Sequence, residues 1–123
     1  MEYISTASAP SAIGPYSQAI VCGNTLYASG QIPINPASGA IEAKDIAGQT
    51  EQACKNVGEV LKAAGMGFEN VVKTTCFLSD IGNFAAFNEV YAKYFVSKPA
   101  RSCVAVKDIP KGALCEIEII AVR

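Results

Sequence analysis

The run from Leu114 to Val122 (LCEIEIIAV) is apolar on both alternating sets of positions. In an extended chain Ile117 and Ile119 fall on one side, and Leu114, Ile120 and Val122 on the other. A strand with helices on one face and water on the other alternates cleanly, so this run needs cover on both faces. The chain offers only two helical patterns, both suited to one face of a sheet. Neighbouring subunits are the simplest cover for the second, and a closed homo-oligomer is expected.

The elements around that run are marked by periodicity and punctuation. After a short extended start, Ser17 to Cys22 and Thr25 to Ser29 flank Gly23-Asn24 as a tight hairpin. Pro33, Pro36 and Gly39 mark a loop. A helix is expected from Asp45 as N-cap to Gly65 as its stop, with Ile46, Thr50, Ala53, Val57, Val60, Leu61 and Ala64 at helical spacing. Gly58 inside it costs about 1 kcal/mol against alanine, which close approach to a sheet would explain. Val71 to Leu78 reads as a buried strand, and Asn83 to Val96 as a second helix with Phe84, Phe87, Tyr91, Tyr94 and Phe95 toward the core. Two strands, near Arg101 to Val106 and Leu114 to Val122, close the chain. The order is β-β-α-β-α-β-β, an α+β fold of one domain over 1–123 with two helices packed on one face of a mixed sheet.

Composition excludes several functions. Histidine is absent, which removes Ser-His-Asp and Cys-His nucleophile arrangements and the commonest transition-metal ligand. Cys22, Cys54, Cys76, Cys103 and Cys115 are odd in number, widely spaced and never in a C-x-x-C pair. That pattern fits reduced thiols, not a disulfide frame or a zinc site. The net charge of -1 gives no basic field to attract nucleic acid. Met1 to Thr6 lacks the cationic start and apolar run of a secretion signal, and no stretch approaches the roughly 20 apolar residues of a membrane span. A cytoplasmic protein without metal, cofactor, nucleic-acid or membrane partner is expected.

Arg101 is one of two arginines, and the other, Arg123, is the last residue. A planar guanidinium grips a carboxylate with two parallel hydrogen bonds, so a chain that otherwise uses lysine has placed Arg101 for its geometry or merely at a strand end. Glu116 and Glu118 share a strand face, where a carboxylate is costly unless solvated, paired or employed. Arg101, Cys103 and Ala105 share a face of their own strand. If the two strands are neighbours, Glu116 lies within one water of whatever Arg101 holds. Gly14-Pro15-Tyr16-Ser17-Gln18 and Ser29-Gly30-Gln31-Ile32-Pro33 each present a hydroxyl beside glycine or proline. Alone, both read as turns.

Together with Val72-Lys73-Thr74-Thr75, Pro99-Ala100-Arg101-Ser102-Cys103-Val104 and Glu116-Ile117-Glu118, in this order and spacing, the chain resembles the Rid family, also called the YjgF family, and within it the RidA-type imine deaminases. The resemblance spans essentially the whole chain. It implies a chorismate-mutase-like fold, a homotrimer with sites between subunits, and hydrolysis of 2-imino acids such as 2-iminobutyrate and 2-iminopropionate to 2-keto acids and ammonia, without cofactor. Those imines arise from the 2-aminoacrylate-type enamines of serine and threonine dehydratases.

Carried over to this chain, the resemblance makes Arg101 the carboxylate clamp, aided by the backbone N–H of Cys103. Glu116 activates the attacking water, and Tyr16, Ser29 and Gly30 line the cleft with Asn88 nearby. Cys115 departs from the aliphatic or charged residue more usual there and, as a strand neighbour of Glu116, points away. The Cys103 thiol is the weaker candidate nucleophile, having no base beside it. Two rivals remain, a ribonuclease or translation inhibitor and a non-catalytic binder of 2-keto acids.

Overall fold

Gly23 makes the first reversal with a left-handed φ of 61°, a conformation glycine adopts without penalty. In the computed structural model, which describes residues 1–123, it joins β2 (Ala19–Cys22) to β3 (Thr25–Ala28), with Cys22 opposite Thr25. The extended start is itself a strand, β1 (Glu2–Ile4), antiparallel to β2. Three strands therefore precede the first helix where the sequence pattern gives two. Three residues are too few to show a period; pairing comes from the free edge of β2.

Helix α1 (Ile46–Ala63) starts where Asp45 accepts a hydrogen bond from Gly48 N at 2.9 Å, and ends before Gly65, whose φ is 72°. Its buried stripe includes Thr50, Ala53, Val57, Val60 and Leu61. Gly58 admits not a sheet but the ring of Phe68, which a Cβ would meet at 3.0 Å. Strand β4 (Val71–Leu78) leads through a short turn to α2 (Phe84–Tyr94), then β5 (Ala100–Ala105) and β6 (Cys115–Val122). Phe87, Tyr91 and Phe95 enter the core as expected, whereas Phe84 stays partly exposed at the helix start.

The strands form one mixed sheet in the order β1-β2-β3-β6-β4-β5. All pairs are antiparallel except β4 with β5, which α2 connects as a crossover. The last strand is thus inserted in the middle of the sheet. Cys115, Ile117, Ile119 and Ala121 are buried on the face that carries the helices. Glu116, Glu118, Ile120 and Val122 occupy the opposite face, on which the Gly30 segment covers Glu116 in part while Glu118 and Val122 stay exposed. Around them Tyr27, Val104 and Val122 are 53%, 45% and 41% exposed. No helix is long and apolar enough to cross a membrane.

Candidate active site

Arg101 stands opposite Thr74 in the parallel β4–β5 ladder, and both side chains meet α2. The guanidinium Nη1 donates to Asn88 Oδ1 at 2.7 Å. Its carbon lies 4.7 Å from the ring centroid of Tyr91 and 5.4 Å from that of Phe84. Aromatic faces steady a cation without neutralising it. Tyr91 is fixed in turn by Thr74, with 2.8 Å between the two hydroxyl oxygens, and by stacking on Phe95 at 4.2 Å. A neutral amide and two rings thus frame Arg101, which borders a cavity of about 570 Å³ with Asn88, Lys98 and Pro99. Its charge remains available to an anion.

Cys103 lies two residues along the same face and is half-buried. Burial pushes its thiol pKa up, and the nearby Arg101 guanidinium offsets only part of that. The thiol therefore stays protonated at neutral pH, the wrong form for a nucleophile.

Glu116 is built differently. It pairs with Phe77 of β4, and its carboxylate lies across Gly30. A Cβ at position 30 would sit 2.8 Å from Glu116 Cδ, so only glycine leaves room for this carboxylate. Ser29 is held by its main chain to Gln18 O at 2.9 Å, and its Oγ donates to Ser17 O at 2.6 Å, which joins the two hydroxyl-bearing segments. Tyr16, Gly30, Gln31, Ile32, Lys111 and Glu116 line a cavity of about 230 Å³. Burial first, then the neighbouring Glu118 carboxylate, raises the Glu116 pKa above its usual value. A carboxylate so placed is a stronger base once ionised.

Within one chain these groups do not form a single site. β4 lies between β5 and β6, so the condition that these two strands be neighbours is not met. Glu116 is level with Phe77 and Val104, three residues beyond Arg101, and projects from the opposite face of the sheet. The structure brings Arg101, Asn88 and Cys103 together on the helix side. Tyr16, Gly30 and Glu116 gather on the other side, with Ser29 beside them. Sequence reasoning missed Phe84 and Tyr91 as the guanidinium platform. No group of three His, Cys, Asp or Glu side chains could hold a metal ion.

Residues 6–123 match the family model described as Endoribonuclease L-PSP. The chain belongs to this family, the Rid or YjgF proteins. It is 52% identical over 121 residues to the human 2-iminobutanoate/2-iminopropanoate deaminase, covering 98% of this chain and 88% of that one. A Lactococcus lactis relative described as putative regulator AldR is 51% identical, with 98% and 97% covered. The crystal structure of the Rid-family protein YyfA from Yersinia pestis, of unknown function, superposes with a TM-score of 0.96 at 52% identity, over 99% of this chain and 98% of that one. The fold of this Rid protein is accordingly the chorismate-mutase-like α+β fold that the motifs imply.

Proposed function

We propose that this protein hydrolyses reactive 2-imino acids, 2-iminobutyrate and 2-iminopropionate among them, to 2-keto acids and ammonia. We further propose that each active site joins the Arg101 face of one copy to the Glu116 face of the next, in a homotrimer. The observation that carries the reading is the uncompensated guanidinium of Arg101 over its aromatic platform, in a chain about half identical to the human deaminase. The uncovered apolar face around Val104 and Ile120 supports assembly, and five free cysteines suit a reducing compartment such as the cytoplasm.

The chemistry asks little of the protein. A protonated imine is already electrophilic at carbon. Arg101 holds the adjacent carboxylate with paired hydrogen bonds, and Asn88 holds Arg101. Fixing the substrate in this way makes water attack effectively intramolecular. Water oxygen bonds to the imine carbon while its proton passes to Glu116 and the C=N π pair moves to nitrogen. Glu116 then returns that proton to nitrogen. The remaining hydroxyl passes its proton to the freed Glu116 carboxylate as its O–H pair forms C=O, ammonia leaves with the C–N pair, and Glu116 gives that proton to solvent. Such acid–base work contributes about 100- to 10,000-fold.

The description of one relative as a putative regulator keeps a non-catalytic binder as the second reading, since the clamp serves capture and turnover alike. The family description names a ribonuclease, but a net charge of -1 gives no overall basic field to draw in a phosphate backbone. The test generates 2-iminobutyrate from threonine with a dehydratase and follows 2-oxobutyrate release with and without this protein. Faster release that Arg101→Ala abolishes is expected. Equal release with wild type and Arg101→Ala would sink the clamp. Binding of 2-oxobutyrate with no acceleration at all would leave the binder.

A further inference from the structure

Only two residues other than glycine hold a left-handed backbone, Lys98 at a φ of 51° and Lys111 at 60°. That conformation crowds any side chain that has a Cβ. Both exceptions are lysines, and each borders one half of the proposed site. Lys98 lines the Arg101 cavity, and Lys111 lines the Glu116 cavity. Lys98 closes the turn after α2, its N–H donating to Phe95 O at 3.1 Å. Glycine would make that turn without strain, so the lysine is kept for its side chain.

The cavity supplies the use. Lys98 and Arg101 are its two cations, and no carboxylate is among its lining residues. Arg101 is steadied by the neutral amide of Asn88 and by two rings, so neither positive charge meets a counter-charge in the wall. Ala92, Phe95 and Val96 add an apolar stretch. A volume of about 570 Å³ lies in the range that admits ligands much larger than 2-iminobutyrate. We propose that Lys98 is a specificity-determining residue, and that the preferred substrates are 2-imino acids whose side chain ends in a second carboxylate. Arg101 grips the carboxylate beside the imine, the apolar wall takes the methylenes, and Lys98 meets the distal carboxylate. This rests on the Arg101 clamp given above and names the substrate class it serves.

The two cations suit different tasks. A planar guanidinium fixes one carboxylate in one orientation, which water attack requires. An ammonium on a flexible stem is a point charge that follows distal carboxylates at more than one chain length. Lys98 is exposed, so its pull is that of a screened surface pair, enough to set a preference and too little to set the rate. The reaction itself is unaltered: water and the 2-imino dicarboxylate give the 2-keto dicarboxylate and ammonia.

Calorimetry with 2-oxoglutarate and 2-oxobutyrate reads the preference without needing turnover. We expect the wild type to bind 2-oxoglutarate more tightly. Lys98→Met should weaken 2-oxoglutarate about 5-fold at low salt and 2-oxobutyrate less than about 2-fold, and added salt should narrow the wild-type gap. Lys98→Gly removes the same charge and relieves the backbone, so it should lose the same preference while its Tm holds or rises. A wild type with no preference for 2-oxoglutarate overturns the proposal. Equal weakening of both acids in the variants overturns it too, because that pattern marks a general field or a structural role.

The corresponding 2-imino acids, made in situ by oxidases acting on glutamate and on 2-aminobutyrate, separate this inference from the reading beneath it. Turnover of neither, with the binding preference intact, removes the deaminase and leaves Lys98 as the selector of a binder. Binding of neither keto acid removes the Arg101 clamp, and this inference with it.

Discussion

The Arg101 side and the Glu116 side of the sheet handle charge in opposite ways. Arg101 is ringed by neutral and aromatic groups that steady its position while leaving its charge unpaired. Glu116 lies over a glycine, half-buried, with a second carboxylate near enough to make ionisation harder. The first arrangement suits binding an anion; the second suits moving a proton. On the proposed reading their separation on two faces leaves neither complete alone, so the sharpest experiments ask whether the halves work in trans.

The largest effect comes from disabling each half. Glu116→Gln should lower kcat by about 100- to 10,000-fold while 2-oxobutyrate still binds, and Arg101→Ala should lose binding and turnover together. Arg101→Lys should also be poor, since a point charge cannot make the paired contact. Co-refolding Arg101→Ala with Glu116→Gln should then restore activity in roughly a quarter of the sites, because some interfaces draw both intact residues from different copies. No recovery on mixing, with both variants oligomeric, would break the two-sided comparison.

Gly30→Ala comes next. The added methyl displaces the end of a flexible side chain, which costs the fold little, but it moves the carboxylate by a distance that matters for orientation. A fall in kcat approaching 100-fold with nearly unchanged Tm is expected. Equal kcat would show that the position of Glu116 over Gly30 is incidental.

Acid sharpens the same contrast. Because burial raises the folded-state pKa of Glu116, activity should decline with falling pH sooner than an ordinary carboxylate would dictate. The linked stability has a definite sign. With its pKa raised on folding, Glu116 contributes stability below the unfolded value, and that contribution is lost as pH rises through the folded value. Glu116→Gln should therefore raise the Tm modestly at pH 7 relative to wild type, and the gain should fade below about pH 4. A gain that grew in acid would reverse the assignment.

Much of this was legible because local chemistry decided it. The Asp45 cap, the Gly23 turn and the stripe from Thr50 to Leu61 are set within a few residues, and the α1 boundaries follow to within two. The β4–β5 pairing was not legible. It depends on α2 crossing over and on β6 entering the centre of the sheet, choices made by long-range packing. That one topological fact moved Arg101 and Glu116 to opposite faces. Phe84 illustrates the same limit: its spacing fits a core stripe, yet at the first turn of α2 it sits partly exposed beside a guanidinium that only tertiary structure brings near.

The smallest expected effect belongs to Cys103. It shares a strand face with Arg101, which invites a nucleophilic role, but three observations oppose one. No histidine exists to take its proton. Burial outweighs the guanidinium and holds the thiol neutral. The one carboxylate of the proposed site, Glu116 of the next copy, is assigned to the attacking water and not to the thiol. Its contribution on this reading is a main-chain N–H, which a side-chain exchange preserves. Cys103→Ser should lose less than about 10-fold in kcat, far short of Arg101→Ala, with pre-steady-state traces free of any burst. A burst of ammonia ahead of keto acid that vanishes in Cys103→Ser would move the bond-making chemistry to the Arg101 face and erase the division of labour between the two sides.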